Sequence, residues 1–159
     1  MTFKLTFTPD KKYYEEAYDE LISLTKLKKW EPVLAVIMGL FGIGLYYFDK
    51  SGALGIFPFF FVIMGIYEFF KFFYNKNKWL SERNLSGVNG QLIELEFNDE
   101  LIKHKGPFSI GEIKWAGLKE IKKTTKGIVL KPENGISLYL PDNLFKGTEE
   151  INFRLSKRK

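Results

Sequence analysis

Apolar and polar residues follow three different patterns along the chain, and the first pattern is short. Residues 2–8 alternate apolar and polar side chains, which is the period of a half-buried β-strand. Thr8-Pro9-Asp10 then predicts the start of a helix, with Thr8 as the N-cap and Pro9 at the first helical position. We expect this amphipathic helix to reach about Lys29 and to run directly into the next segment.

The second pattern consists of two apolar segments. Residues 32–48 and 52–67 contain no charged side chain, and only residues 49–51 separate them. A helix needs about 20 apolar residues to cross the hydrocarbon core of a bilayer, so each segment is short and depends on its flanks. The pattern predicts two antiparallel helices joined by a tight turn, a transmembrane hairpin over residues 32–74.

Aromatic and basic residues flank both segments, as is typical of the membrane–water interface. The interface anchors that we predict are Trp30, Tyr46, Tyr47, Lys71 and Trp79. Lysines are more frequent before the first segment and after the second than in the turn, which predicts that both termini are cytoplasmic. The predicted location is therefore the cytoplasmic membrane.

The two apolar segments have an alternative interpretation as core helices of a soluble domain, and their small residues have two possible uses. In a soluble domain, the apolar run Phe57 to Phe61 would need protein on every side, which disfavours a pair of buried core helices. Ala35 and Gly39 form a pair of small residues that lets helices approach closely. Such a pair serves packing within the hairpin or a dimer face, and the first use is favoured.

The third pattern is a series of short strands with turns between them. The second apolar helix is expected to end near Asn84. Strands are then predicted over residues 91–97, 101–105, 108–115, 118–124, 127–131 and 135–140. Pro141-Asp142 predicts a final helix that buries Leu144, Phe145, Ile151 and Leu155 and ends in the basic tail 157–159. One antiparallel sheet closed by a C-terminal helix is the outline of a pleckstrin-homology-like (PH-like) domain, which residues 2–8 are expected to join.

Composition excludes several kinds of chemistry. The net charge is +5, without the long basic run that is typical of a nucleic-acid-binding tail. The chain has no cysteine, which excludes disulfides and thiolate sites. His104 is its one histidine and lies between Lys103 and Lys105, so the sequence indicates neither a metal site nor a catalytic triad. We expect no enzymatic activity, no cofactor and no bound metal.

Two features of the predicted strand region that follows Asn84 are candidates for binding a lipid or a protein partner. The densest basic cluster consists of Lys119, Lys122, Lys123 and Lys126. It is interpreted as a solvated strand face or as a contact with anionic headgroups or a partner. Trp115, at the end of a predicted strand, is interpreted as an anchor in the domain core, with a binding platform as the alternative.

Several short motifs occur in the order that is characteristic of the bacterial YcxB-like family. They are Phe7-Thr8-Pro9-Asp10 with Tyr13 or Tyr14, Gly90, Phe97-Asn98-Asp99-Glu100-Leu101, Ile113-Lys114-Trp115 with Leu118, Ile121, Thr124 and Thr125, and Leu140-Pro141 with Leu144-Phe145. The chain resembles this family over nearly its whole length. The resemblance implies a strand and helix, a membrane hairpin and a cytosolic PH-like domain, but no reaction. Ala116-Gly117 and Asp142-Asn143 depart from the family pattern, which affects a shared ligand surface more than the fold.

The sequence thus predicts an α+β membrane protein with three parts. Residues 1–31 form the N-terminal strand and helix, residues 32–74 the transmembrane hairpin, and residues 75–159 the cytosolic PH-like domain. The leading functional hypothesis is binding of a protein partner at the membrane, for example as an accessory or toxin-immunity protein. The second is recognition of anionic lipid, and the third is a conduit for ions or small molecules formed by oligomerised hairpins. Membrane lipids are expected partners and nucleic acids are not.

Overall fold

The computed structural model describes residues 2–156 and confirms an α+β architecture with two long apolar helices followed by antiparallel sheets. The strands are β1 (Phe3–Phe7), β2 (Ile93–Phe97), β3 (Leu101–Lys105), β4 (Ile110–Lys114), β5 (Leu118–Lys123), β6 (Gly127–Pro132) and β7 (Leu138–Pro141). The helices are α1 (Lys11–Ser23), α2 (Lys26–Phe48), α3 (Phe57–Asn84) and α4 (Thr148–Ser156). Short 3-10 turns cover Trp115–Gly117 and Asp142–Leu144.

The chain divides into two compact units. The hairpin unit spans Thr25–Trp79, and the β unit joins the segment up to Leu24 with the chain from Leu80 onward. The sequence predicts boundaries after residues 31 and 74, whereas these two compact units meet after Leu24 and after Trp79. The first lies earlier because α1 ends at Ser23 and α2 begins only after Thr25, which has an extended backbone. The prediction of one helix continuing from α1 into the apolar segment is wrong.

Two antiparallel sheets form the β unit, where a single sheet was expected. Their strand orders are β1-β2-β3-β4 and β5-β6-β7. The 3-10 turn at Trp115–Gly117 ends the first sheet and redirects the chain into the second. β1 pairs with β2 along its whole length, with Phe3 opposite Phe97 and Phe7 opposite Ile93, so the N-terminal strand does join a sheet.

The core of the β unit lies on the inner faces of both sheets. Alternate residues of a strand point to opposite faces, and in β2 every second residue is buried, whereas Gly127 to Leu130 of β6 are all buried. The buried cluster consists of Leu5, Phe7, Ile93, Leu95, Phe97, Ile102, Trp115, Leu118, Ile121, Ile128, Leu130 and Leu140. Leu144, Phe145, Ile151 and Leu155 are half-buried against it, as predicted. However, α4 begins at Thr148 and not at Pro141, and the basic tail 157–159 lies outside the described residues.

The start of α1 differs from the prediction by two residues. Asp10, and not Thr8, is the N-cap, and its carboxylate accepts a hydrogen bond from the Tyr13 amide at 2.7 Å. Pro9 therefore precedes the helix, and its carbonyl accepts a hydrogen bond from the Gly90 amide at 2.8 Å. This bond ties the start of α1 to the segment before β2.

The connection between α2 and α3 runs from Asp49 to Ile56, so the predicted three-residue turn is wrong. Gly52 and Gly55 adopt positive φ angles of 70° and 55°, which end the helical pattern inside an apolar run. The Asp49 carboxylate accepts hydrogen bonds from the backbone amides of Leu54 and Ala53. These bonds, led by that from Leu54, lower the pKa of Asp49 and hold the loop.

Candidate functional site

The outer surface of the hairpin unit is apolar. Residues 27–48 of α2 and all of α3 are long and apolar enough to cross a bilayer, and only 11% of the most apolar stretch of each helix is buried. The exposed large side chains include Leu34, Ile37, Leu40, Phe41, Ile43, Phe59, Phe60, Ile63, Ile66 and Phe70. A helix that is apolar on all sides needs an apolar surrounding, which within the hairpin unit is not provided by protein.

Small residues form the contact between α2 and α3. A Cβ atom on Gly65 would lie 2.7 Å from the Ala35 carbonyl oxygen and 2.8 Å from the Gly39 amide nitrogen. A Cβ atom on Gly42 would lie 2.6 Å from the Pro58 carbonyl oxygen. The Ala35 and Gly39 pair is therefore used within the hairpin, as favoured from the sequence.

The predicted interface anchors lie on these two helices. Trp30 is in the second turn of α2 and is exposed, and Tyr46 and Tyr47 are exposed in its last turn. On α3, the Lys71 ammonium pairs with the Glu68 carboxylate at 3.0 Å and lies 5.5 Å from the centre of the Tyr67 ring. Trp79 is half-buried on the same helix.

Carboxylates neutralise most of the predicted basic cluster. Lys122 pairs with Glu120 at 2.7 Å, and Lys123 pairs with Asp142. Lys126 pairs with Glu16 at 3.9 Å, and Lys119 is exposed on β5. Each exposed pair contributes only about 0–1 kcal/mol to stability, but together they reduce the positive charge that an anionic surface would attract.

Hydrogen bonds attach α1 to the second sheet, an arrangement that sequence reasoning missed. Tyr13 donates its hydroxyl hydrogen to the Tyr139 carbonyl, and Tyr139 donates its own to the Glu16 carboxylate, both at 2.7 Å. Buried Glu20 accepts a hydrogen bond from the Thr125 amide at 3.1 Å. Burial raises the pKa of both tyrosines. The tyrosines near the start of α1 were the available signal, but their partners are more than a hundred residues away.

Trp115 is built into the core of the β unit. It is buried, and its indole N–H donates a hydrogen bond to the Asn98 carbonyl at 2.8 Å. Its ring centre lies 6.2 Å from those of Phe97 and Phe153. Its hydrogen bond and ring contacts are thus made within the domain, and the indole does not form an exposed platform.

An open apolar cavity of about 290 Å³ lies between the two sheets. Its lining is Leu95, Ile102, His104, Ile113, Leu118, Leu130, Pro132, Ile136, Ser137 and Leu138. It has about twice the volume of a 150 Å³ apolar cavity that binds benzene, so it accommodates one or two large apolar side chains. The sequence did not reveal it, because the cavity depends on how two sheets face each other.

Exposed apolar residues occur on the segments whose other residues line this cavity, and one of them, Ile136, lines the cavity itself. Phe108 and Ile110 lie at the β3–β4 hairpin with 75% and 80% of their surface exposed, and Ile136 precedes β7 with 66% exposed. Within residues 2–156, no cluster of three or more His, Cys, Asp or Glu side chains is suited to hold a metal ion. The available chemistry at this site is apolar contact and backbone hydrogen bonding.

No protein-family model, no curated protein and no solved structure matches the chain. The resemblance to the YcxB-like family therefore stays a prediction.

Proposed function

We propose that the chain is an integral membrane protein whose hairpin unit spans the bilayer and whose β unit, a PH-like domain, binds a protein partner at the cytoplasmic face. The main support for the proposal is the pattern of burial in the hairpin unit, where Gly42 and Gly65 are buried and large apolar side chains are exposed. An accessory or toxin-immunity protein is one form that this function would take.

Hydrocarbon is the solvent that suits this hairpin. Every backbone group inside a bilayer must be hydrogen-bonded within the protein, and helices achieve this except at their ends and at Pro32, which lies near the start of α2. Helix association in lipid depends on close backbone packing, and Gly65 and Gly42 supply it against α2 and α3 respectively. Asp49 and Lys50 lie in the loop between the two helices and not inside either helix.

Protein is a better partner for the β unit than anionic lipid. Three of the four lysines in the basic cluster are paired with carboxylates, so a headgroup would have to displace an existing ion pair at each of them. The open cavity is instead lined mainly by apolar side chains, among them the exposed Ile136, and such a lining favours binding of aliphatic and aromatic side chains.

Cysteine labelling tests the membrane topology, because the chain has no native cysteine to remove. Lys50→Cys lies in the connecting loop and Lys146→Cys in the β unit, and both lysines are exposed. In intact cells, a membrane-impermeant maleimide should label the first variant and not the second until the membrane is permeabilised. Labelling of Lys146→Cys in intact cells, or release of the protein from membranes by alkaline carbonate, would contradict the proposed topology.

Crosslinking tests the partner. Crosslinking in cells followed by detergent extraction should recover the chain with a protein at a fixed stoichiometry. The triple variant in which Lys119, Lys122 and Lys126 become Gln should retain that complex. Two results would replace the proposal with lipid recognition. One is that no stoichiometric protein is recovered. The other is that the Gln variant loses both its complex and its response to the anionic lipid content of nanodiscs. Ion flux through the purified chain in liposomes would instead support a conduit.

A further inference from the structure

β4 is the last strand of its sheet, and the register shows which of its backbone groups are free. Directly opposite residues of an antiparallel pair alternate between those that exchange hydrogen bonds and those that do not. The Gly106 amide bonds to Ser109 and the Trp115 amide to Glu100, which places Gly111 and Ile113 in the bonding pairs with β3.

The backbone N–H and C=O groups of Ile110 and Glu112, and the N–H of Lys114, consequently point away from β3, towards the open edge. The Lys114 carbonyl is used by the 3-10 turn that begins at Trp115. Within residues 2–156, the structure shows no hydrogen bond to these outward groups. An exposed row of this kind is a template for one more strand.

The outer face of the sheet specifies the charge of that strand. One cross-strand row runs through Lys4, Glu96, Lys103 and Glu112, so the sign of the charge alternates on every strand and ends with an acid at the edge. A fifth strand that continues the row needs a Lys or Arg opposite Glu112. A neighbouring row, which crosses β3 at Lys105, ends at the exposed Ile110 and calls for an apolar residue.

The inner face of the sheet specifies large apolar residues. Ile113 and His104 line the cavity, and Gly111 is opposite His104 on the same face. A Cβ atom on Gly111 would have no other atom within 4 Å, so the space beside the strand is open. Side chains opposite Gly111 and Ile113 on an added strand would point towards this face and fill the cavity.

We propose that the edge of β4 binds an extended segment of a partner protein as a fifth strand, with two large apolar side chains in the cavity and a basic residue opposite Glu112. The inference rests on the proposed function and names the site and the chemistry of its partner. In an antiparallel arrangement the segment reads acidic, apolar, basic, apolar, apolar, since Lys114 selects the first residue.

A second copy of the chain is a poorer occupant. Symmetric antiparallel pairing of two β4 strands about Glu112 places the two Glu112 carboxylates opposite each other, and like charges in that position are destabilising. The same pairing places Gly111 opposite Ile113, so neither cavity receives two large side chains. Pairing about Ile113 would place Glu112 opposite Lys114, but it extends over residues 112–114 alone, because the chain leaves the strand at Trp115.

A capped synthetic peptide with the core Glu-Leu-Lys-Phe-Val tests the proposal on the full chain in detergent micelles. At millimolar peptide, NMR should show slowed hydrogen exchange at the amides of Glu112 and Lys114, and no change at Gly111 and Ile113, which already bond to β3. Unchanged exchange at the outward amides would overturn the proposal. The same protection arising from self-association that the peptide disrupts would assign the edge to a second copy and would also overturn it.

Charge exchange tests the register. Glu112→Lys should weaken binding of this peptide about threefold and strengthen binding of its variant with a central Glu by a similar factor, because each cross-strand charge pair contributes modestly. Glu82→Lys makes the same change of charge at an exposed position of α3 and should have neither effect. Equal effects from both substitutions would contradict a specific pairing at Glu112.

Filling the open space tests the cavity. Gly111→Phe should abolish detectable peptide binding, whereas Gly147→Phe, also at a glycine with open space around it, should not. An unchanged NMR spectrum elsewhere in the β unit confirms that Gly111→Phe folds. If Gly111→Phe cells still yield the crosslinked partner, the proposed function stands and the fifth strand is wrong. If the peptide protects the outward amides but no cellular partner is recovered, the fifth strand stands and the proposed function is wrong.

Discussion

The β unit and the hairpin unit use large and small apolar residues in opposite places. In the β unit, Leu95, Phe97 and Leu140 have no exposed surface. In the hairpin unit the buried positions are Ala35, Gly42, Pro58 and Gly65, whereas the large aliphatic and aromatic side chains mostly face outward. Both units are rich in apolar residues, but the position of the large ones distinguishes a fold for water from one suited to lipid.

We therefore expect different forces to stabilise the two units. Removing apolar surface from water drives assembly of the β unit, so its large side chains are the sensitive positions. In the bilayer that we propose for the hairpin unit, lipid chains would be as apolar as the side chains that they contact, so close packing would hold the two helices together. Truncation should therefore damage the β unit, and enlargement of small residues should damage the hairpin.

The largest expected effect is loss of a buried side chain from the β unit. Leu95→Ala should reduce the free energy of unfolding by about 2–5 kcal/mol, because it leaves a cavity beside an existing one. Urea titration of the full chain in micelles, followed by tryptophan fluorescence, measures the loss. Ile63→Ala, which truncates an outward side chain of α3, should reduce the free energy of unfolding far less. Equal losses would show that the two units do not differ in this way.

A charge at two equally exposed isoleucines is the sharpest matched test. Ile63 on α3 is 65% exposed and Ile136 in the β unit is 66% exposed. Ile63→Arg should disfavour membrane insertion by about 2.5–3.5 kcal/mol, whereas Ile136→Arg should leave insertion and folding unchanged. The fraction that resists alkaline carbonate extraction measures insertion. Full retention of Ile63→Arg in membranes would show that this face of α3 does not contact lipid.

Enlarging a buried glycine should destabilise the hairpin by a smaller amount. Gly65→Leu places atoms where the α2 backbone lies and should cost about 1–3 kcal/mol. Gly44→Leu adds the same side chain where a Cβ atom meets nothing within 4 Å, and should be tolerated. Disulfide formation between cysteines introduced on α2 and α3 reports helix proximity. Equal crosslinking in both variants would contradict the packing described for Gly65.

The smallest effect concerns the hydrogen bonds between α1 and the second sheet. Burial, together with the bond to Glu16, raises the pKa of Tyr139, so its contribution to stability is complete below the unfolded pKa of about 10 and is lost as the pH rises above it. Tyr139→Phe should cost about 0.5–1.5 kcal/mol at neutral pH and reduce the loss of stability above pH 10. Urea titrations at several pH values measure both. An unaltered alkaline slope would show that Tyr139 is not responsible.

Local patterns predicted most of the elements but not their partners. The alternation of β2 and β3 and the turn between them were readable, because each depends on neighbours within a few residues. The break at Thr25 was missed because the residues around it fit a helix on either side, and a single residue with an extended backbone imposes the break. The loop from Asp49 to Ile56 was missed because apolar composition continues across Gly52 and Gly55, where positive φ angles end the helical pattern. The β4 edge was also missed, because a strand becomes an edge only through the order of all strands in the sheet.

The pairing of β1 with β2 also constrains the number of membrane crossings. Phe3–Phe7 and Ile93–Phe97 lie in adjacent strands, although both α2 and α3 separate them along the chain. Two strands can pair only on the same side of a bilayer, so an even number of crossings must lie between them. If the hairpin spans a bilayer as we propose, an insertion error that leaves one helix outside the membrane would separate β1 from β2, and the folded first sheet would require that both helices be inserted.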